Sequence, residues 1–556
     1  MLKTITLVFL LFLSCFAFSQ NIPVQEASHT IKRSEKQTYY FTLKKGYGLK
    51  AVLMQKGIAV DVSIYKVNDT TLIKFFDSND FIGPLPIFFE SSASGKYQLI
   101  VRGQPVSINP VAGDYTIKQE AILSPVDIVK LNQEKQKEKD DFLKWLTDNS
   151  HPIQSVDAGS DMADLQPLKT ILKDVQVVGL GEATHGTSEF ARVKHRILEF
   201  LVKEMGYKTF FIEAPMNICR EINNYVLYGK GDLDTVTVRA NSLVMRVQEV
   251  KDMIKWMYDY NKTQSADKKA TFLGFDPTYE IYGWKELKQF YNKVDTSKLA
   301  LLDTLKKRGF QISQLTNKTD SVSQKKFKAL YPSYYLDCSS VLKDIVMNEG
   351  RYKYLAGSEI YEKSLQDIKQ VIEAAEVYKN ENYNSNMRDY YMTENVMNYL
   401  QNAEPGTKVI LWAHNGHMAK FTNQYFTPMG YRLGQLLKDK YYSFGFEFYS
   451  GDFLTYNIDL NRLWSVMSVG IPPEGSLSSY LNKTGKENLF IDFRNTSSKS
   501  IKLFAKDWDI HNLEASYSVK NSAFGQIKLD RYDGLIYIKK STATKNLNLY
   551  VHYSLD

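Results

Sequence analysis

Four apolar segments of strand length run into side chains that can hold charge or move protons. "VVGLG" leads to Glu182 and His185, "TFFI" to Glu213, "TFLGF" to Asp276, and "VILWA" to His414 and His417. The chain has eight histidines, and three of them stand directly after two of these segments. Each residue taken alone reads as a polar group satisfied at a strand end, because buried polar groups ordinarily just find partners. Taken together they predict one cluster. A carboxylate fixes the tautomer of an imidazole whose pKa lies near neutrality, so the pair can take a proton from water, and neighbouring imidazoles can donate to an oxyanion or a leaving group. That chemistry is hydrolysis. Glu182-x-x-His185, His414-x-x-His417 and Glu213 are also respectable ligands for zinc or iron, so a metal-dependent hydrolase is the alternative. A third reading is an exported, non-enzymatic binding protein, although clustering titratable groups in a dry pocket without catalytic use is costly. The chain has no G-x-S-x-G elbow, no H-E-x-x-H helix and no P-loop.

Lys194 belongs to the same question. From Ser188 onward the pattern predicts a helix with Phe190, Val193, Ile197, Leu198, Leu201, Val202 and Met205 on one broad face and Lys194 near its middle. Thr187 or Ser188 is the expected cap. A lysine two turns in leans back toward the helix N-terminus, where Glu182 or Glu213 can pair with it. Otherwise its stem covers apolar surface while the head reaches water. His195 points off that face and is expected in solvent. His29, His151, His511 and His552 have no evident constellation.

These residues need a sheet to bring them together. "VQVVGLG", "KTFFIEA", "TFLGFD", "KVILWAH", "YSFGFEF", "NLFIDF" and "GLIYIKK" have the length and composition of strands buried on both faces, and helical patterns separate them. The fold class is α/β: a mostly parallel sheet flanked by helices, with ligands gathered at the carboxyl ends of the strands. No strong strand falls within about 281–400, which reads as a helical insertion. Just before the last histidine-bearing strand, "RDYYMTENVMNYL" brings Arg388, Asp389, Glu394 and Asn395 as supporting or substrate-binding groups, with a solvated helix as the plain alternative. Asp533 and Trp508 are assigned to structure, the last strand closing the sheet. Phe272, Phe275 and Tyr279 line an apolar cleft or are simply core.

Upstream, 24–120 alternates apolar and polar residues in short runs such as "TYYFTLKKG", "KAVLMQKG", "DVSIYKV" and "KYQLIVRG", the pattern of an antiparallel β-sandwich. A charged helical connector over 121–150 links it to 151–556. Residues 1–19 have a lysine, an apolar run and a small-x-small step at Ala17 and Ser19, which predicts a cleaved signal peptide and an exported, periplasmic or secreted protein. The run falls short of the roughly 20 apolar residues of a membrane span. Cys15 has poor neighbours for lipid attachment. Once the leader is removed only Cys219 and Cys338 remain, so disulfides are not the main scaffold. The net charge of +8 is spread through mixed-sign stretches with no basic block, which argues against nucleic acid.

In the order "GEATHGTSEF", "KHRILEFLVKEMGY", "FFIEA", "RDYYMTENV", "WAHNGH" and "DGLIYI", the chain resembles the erythromycin esterase family from about Val156 to Ser541. The resemblance implies an α/β core with helical additions and opening of macrolactone esters by water, without a covalent acyl-enzyme or a metal or other cofactor. His185 would be the general base with Glu182 beside it. Glu213 and Lys194 would fill the pocket's other polar positions, and His414 and His417 would polarise the ester or orient water. The implied partner is a small-molecule ester, a macrolide among the candidates. "YYFTLKKG", "DVSIYKV", "FDSND" and "GKYQLIV" resemble the bacterial pre-peptidase C-terminal domain family, which would allow surface or glycan contact.

Overall fold

The computed structural model describes residues 20–77, 81–105, 110–238, 245–278, 281–379, 384–423, 426–460, 463–494, 503, 506–511, 513, 516–520 and 523–547. Residues 1–19, which include the expected signal peptide, and Tyr279 and His552 lie outside them. Two compact units divide between residues 139 and 140.

In the first unit, period-two patterning sets the strands β1 (Gln20–Asn21), β2 (Ala27–Lys32), β3 (Lys36–Leu43), β4 (Gly48–Lys56), β5 (Val60–Lys66), β6 (Lys74–Asp77), β7 (Ile82–Glu90), β8 (Gly95–Gly103) and β9 (Ala112–Leu123). One sheet runs β1-β3-β8-β5-β6 and the other β2-β9-β4-β7; all pairs are antiparallel except β1 with β3. Alternate residues such as Tyr97, Leu99 and Val101 of β8 and Leu49, Ala51 and Leu53 of β4 enter one hydrophobic cluster fed by both sheets. The prolines of "IGPLPIFFE" are tolerated because β7 is an edge strand. The charged segment beyond is a helix, α1 (Pro125–Asn149), opened by mutual hydrogen bonds between Ser124 and Asp127.

The second unit continues with β10 (Ser150–Pro152), α2 (Pro167–Ile171), β11 (Val177–Leu180), α3 (Ser188–Met205), β12 (Thr209–Pro215), α4 (Met216–Tyr228), α5 (Leu233–Val238), α6 (Gln248–Asn261) and β13 (Thr271–Asp276). Next are the helices α7 (Ile281–Val294), α8 (Leu299–Leu315), α9 (Ser321–Met347), α10 (Glu349–Ala356) and α11 (Ser358–Val377), whose apolar residues, from Trp284 to Ala375, form a cluster of their own. α12 (Ser385–Asn402) does not belong to that group. Its Met392 and Val396 pack with Val409 and Leu411 of the sheet. Then come β14 (Val409–Trp412), α13 (Asn415–Met418), α14 (Met429–Leu437), β15 (Tyr441–Asn457), β16 (Leu463–Val469), α15 (Leu477–Lys483), β17 (Asn488–Asp492), β18 (Trp508–His511), β19 (Ser516–Tyr517), β20 (Phe524–Ile527) and β21 (Gly534–Ser541).

The main sheet runs β10-β17-β21-β15-β11-β14-β12-β13. The six strands from β21 to β13 are parallel, whereas β17 and β10 join antiparallel. β21 therefore does not close the sheet. It runs inside it, between β15 and β17, because "GLIYI" is apolar on both faces and an edge would leave one row of backbone groups unpaired. Among the described residues no helix is long and apolar enough to cross a membrane.

Candidate active site

Register decides which side chains meet. Phe444, Leu180, Trp412, Ile212 and Gly274 form one row across β15, β11, β14, β12 and β13. Glu182, Glu213, Asp276 and His414 all lie one or two residues past this row, at the carboxyl edge where parallel strands open onto loops. Strands only four residues long and fully buried, "VVGL" and "VILW", leave the polar residues after them nowhere else to go. The glycines around the first loop permit its packing: a Cβ at Gly181 would lie 2.3 Å from Asn415 Oδ1, and one at Gly186 would fall 1.8 Å from the Leu454 carbonyl oxygen. Asn415 in turn ties its loop to β15, accepting from the Phe446 amide at 2.9 Å and donating to its carbonyl at 2.8 Å.

Glu182 is the hub of one half. His185 Nδ1 lies 2.5 Å from its Oε1, while Lys194 Nζ and Trp412 Nε1 donate to its Oε2 at 2.6 and 2.7 Å. The charge in the apolar stripe of α3 is thus explained: Lys194 is fully buried, paired with Glu182, and 4.2 Å from the Trp412 ring centre and 4.9 Å from that of Phe446. Burial works against the Glu182 charge, but Lys194 and His185 outweigh it and hold the carboxyl at about 2. Burial draws Lys194 down to about 8 against the pull of Glu182 and Glu213. At His185 burial opposes the proton, the Glu182 bond favours it, and the bond wins, leaving the pKa raised.

Glu213, Asp276, Arg388, Asp389 and His417 make the other half. Arg388 Nη2 donates to Glu213 Oε1 and to Asp276 Oδ2, each at 2.6 Å, and its Nη1 lies 2.9 Å from His417 Nε2. His417 Nδ1 sits 2.9 Å from both oxygens of Asp389, which also accepts the Met429 amide. Burial and Arg388 disfavour charge on His417, but Asp389 and Glu213 overcome them and raise its pKa to about 10. In the charged ring Nε2–H turns to Glu213, 3.4 Å away. His417 and Arg388 hold Glu213 well below the usual carboxylate range against its burial.

His414 joins the halves. Its amide donates to Glu213 at 3.0 Å and its ring centre is 5.3 Å from that of His185. Nδ1 accepts from the Gly416 amide at 3.1 Å, so Nε2 carries the proton and donates to the Leu513 carbonyl at 3.2 Å. Burial, with His185 and His417 beside it, lowers its pKa to about 4 and keeps it neutral. The side chains of His185, Arg388 and His417 are 11%, 13% and 15% exposed, against 2% for Glu182, 4% for Asp276 and 0% for Asp389. The histidines and the arginine are thus the more accessible members of the cluster, with Glu213 between them and the other carboxylates at 8%.

The six residues expected as the catalytic set come together here, with Asp276 and Arg388. Glu394 and Asn395 do not. Asn395 holds the Phe275 carbonyl and Glu373, and Glu394 is a like-charged neighbour of Glu373, because both point to the α11 side of α12. Phe272 and Phe275 are core. Neither candidate hydroxyl caps α3: Thr187 makes no cap bond, and Ser188 donates to Glu249. His195 is buried against Trp256 rather than exposed, since α6 covers that side of α3. His511 has a full constellation with Glu447. Sequence reasoning misses Trp412 as a site residue; its place as the last residue of a buried strand, beside a histidine, is the available signal. A metal does not fit this donor set. Lys194 and Arg388 occupy the carboxylates, Asp389 takes one nitrogen of His417, and both nitrogens of His414 face backbone. Among the described residues no three His, Cys, Asp or Glu side chains are placed to hold an ion.

This is an α/β protein with paired carboxylates and imidazoles gathered at the ends of parallel strands. The chain belongs to the erythromycin esterase family, whose sequence profile matches residues 202–541. It is 25% identical over 439 residues to erythromycin esterase type II of Escherichia coli, covering 73% of this chain and 99% of that protein. It is 26% identical over 423 residues to the putative hydrolase YbfO of Bacillus subtilis (strain 168), covering 72% and 90%. In fold it is similar to a mutant of the erythromycin esterase EreC in its open conformation, with a TM-score of 0.53, 16% identity, and coverage of 70% of this chain and 96% of that one. The family supports hydrolase activity on a small molecule.

Proposed function

We propose that the protein is an exported esterase that opens a carboxylic ester or macrolactone with water activated at His185 and forms no covalent intermediate. The observation that carries this reading is the 2.5 Å contact of His185 Nδ1 with Glu182, itself held by Lys194 and Trp412. With Nδ1 committed, Nε2 is the nitrogen that takes a proton from water, and the buried carboxylate stabilises the imidazolium that results. The hydroxide equivalent attacks the carbonyl carbon, and the oxyanion that forms is stabilised by the Arg388 guanidinium, with the His417 charge behind it. Collapse breaks the bond to the alcohol oxygen, which takes back the proton that His185 removed from water. Ester and water become acid and alcohol. His414, neutral and bonded on both nitrogens, orients the His185 side of the crevice rather than exchanging protons.

Export rests on the leader-like pattern at 1–19. The two relatives named for erythromycin esterase make macrolides the first substrates to try, followed by simple lactones and aryl esters. Turnover by the purified protein, lost in His185→Ala, is the expected result. Mass spectrometry during turnover should show no acyl-protein. Binding without product across all these esters would instead favour a binding protein, and unchanged turnover in His185→Ala would remove the assigned base.

A further inference from the structure

A second carboxylate and imidazole pair lies apart from this cluster, Glu447 within β15 and His511 as the last residue of β18. Glu447 and His511 are both fully buried and bonded through Nδ1. Glu447 Oε2 also accepts the His511 amide at 3.1 Å, and its Oε1 accepts the Ser478 hydroxyl at 2.8 Å. The His511 ring stacks 4.2 Å from Phe448 and lies 4.6 Å from Phe524, while its buried Nε2 has no partner among the described residues. An apolar pair of this size would suit such a site better, because burying a carboxylate against an imidazole with one ring nitrogen unmet costs free energy. Stability therefore does not explain these residues.

Two positions further along the chain, Leu513 touches both histidine loops. Its amide donates to the Ala183 carbonyl at 3.2 Å, inside the loop that carries Glu182 and His185, and its carbonyl accepts His414 Nε2–H at 3.2 Å. The Leu513 side chain is fully buried in the main core. We infer that Glu447 and His511 are positioning residues: by clamping the backbone at His511 they hold the Leu513 peptide between the two loops and so fix His414 as the neutral Nε2–H tautomer beside His185. This rests on the esterase reading for its catalytic consequence, but not for the tautomer itself.

His414 is faced by His185 and Glu182 from the β11 loop, by Glu213 from β12 and by His417 from α13. Freed from the Leu513 carbonyl and reached by water, it gains a proton at higher pH, and that positive charge beside His185 opposes formation of the His185 imidazolium. The test is the double variant Glu447→Leu/His511→Phe, which removes both partners and keeps an aromatic ring between Phe448 and Phe524. Glu447→Gln serves as a second variant should the double one fail to fold. Thermal melting should show the double variant folded. Histidine ¹⁵N spectra should show His414 as Nε2–H in the native protein, and titrating at least one pH unit higher in the variants. kcat/KM should fall about tenfold, with the acid limb of the pH profile steepened. An unchanged His414 tautomer and titration in a folded variant overturns the inference. Absence of turnover in the native protein would overturn the esterase reading instead, and the spectra still decide the positioning role.

Discussion

Glu182–His185 and Glu447–His511 are the same two residue types, the first in the loop past a parallel strand and the second joining the body of β15 to the end of β18, and they are built for different work. The first pair has a cation behind the carboxylate, in Lys194, and leaves its histidine 11% exposed. The second is sealed between aromatic rings, with a serine rather than a cation on the carboxylate. The difference teaches that residue type and spacing nominate a proton-transfer pair, while access and the third partner select it. A reactive imidazole needs an open nitrogen and a carboxylate that stays ionised in the dry interior.

The largest effect should come from removing that third partner. Lys194→Met leaves Glu182 buried without its lysine counter-ion, and urea unfolding should show a loss of about 3–5 kcal/mol. His185→Ala separates chemistry from stability: it should lower kcat/KM by roughly 10²-fold or more with little change in the unfolding midpoint. Arg388→Ala should cost about 10²-fold in kcat, as for a lost oxyanion donor, and initial rates against ester concentration will separate this from a change in KM. Two sides of the pH profile sharpen the comparison further. The base must be neutral, and the pKa of His185 is raised, so kcat/KM should climb as pH rises through a value above 6.5. It should fall in alkali as Lys194, at about 8, and His417, at about 10, lose the protons that the crevice needs. Ser478→Ala, which removes a single bond to the sealed carboxylate, should cost only about 1 kcal/mol in the same unfolding assay.

Much of the site is legible in the sequence because parallel strands buried on both faces are short apolar runs, and the polar residues after each run must emerge at one edge of the sheet. Glu182, Glu213, Asp276, His414 and His417 are readable on that ground, and Lys194 because a charge in an apolar stripe demands a partner. The misreadings share another cause. His195 depends on whether α6 covers that side of α3, the place of β21 on which strands flank it, and Glu394 on how α12 is turned against α11. His511 escapes a reading by spacing because its carboxylate lies 64 residues away on another strand.

The chain's own pattern thus determined which segments are strands, which residues stand at their ends, and that Lys194 must be neutralised in the interior, since periodicity and the cost of burying charge are local properties of the sequence. Only the tertiary structure decided that Arg388 bridges Glu213 and Asp276, that Asp389 rather than Glu213 holds His417 Nδ1, and that both nitrogens of His414 are occupied. Those choices turn on ångström-scale distances between side chains far apart in the chain, and such distances exist only once the strands are in register.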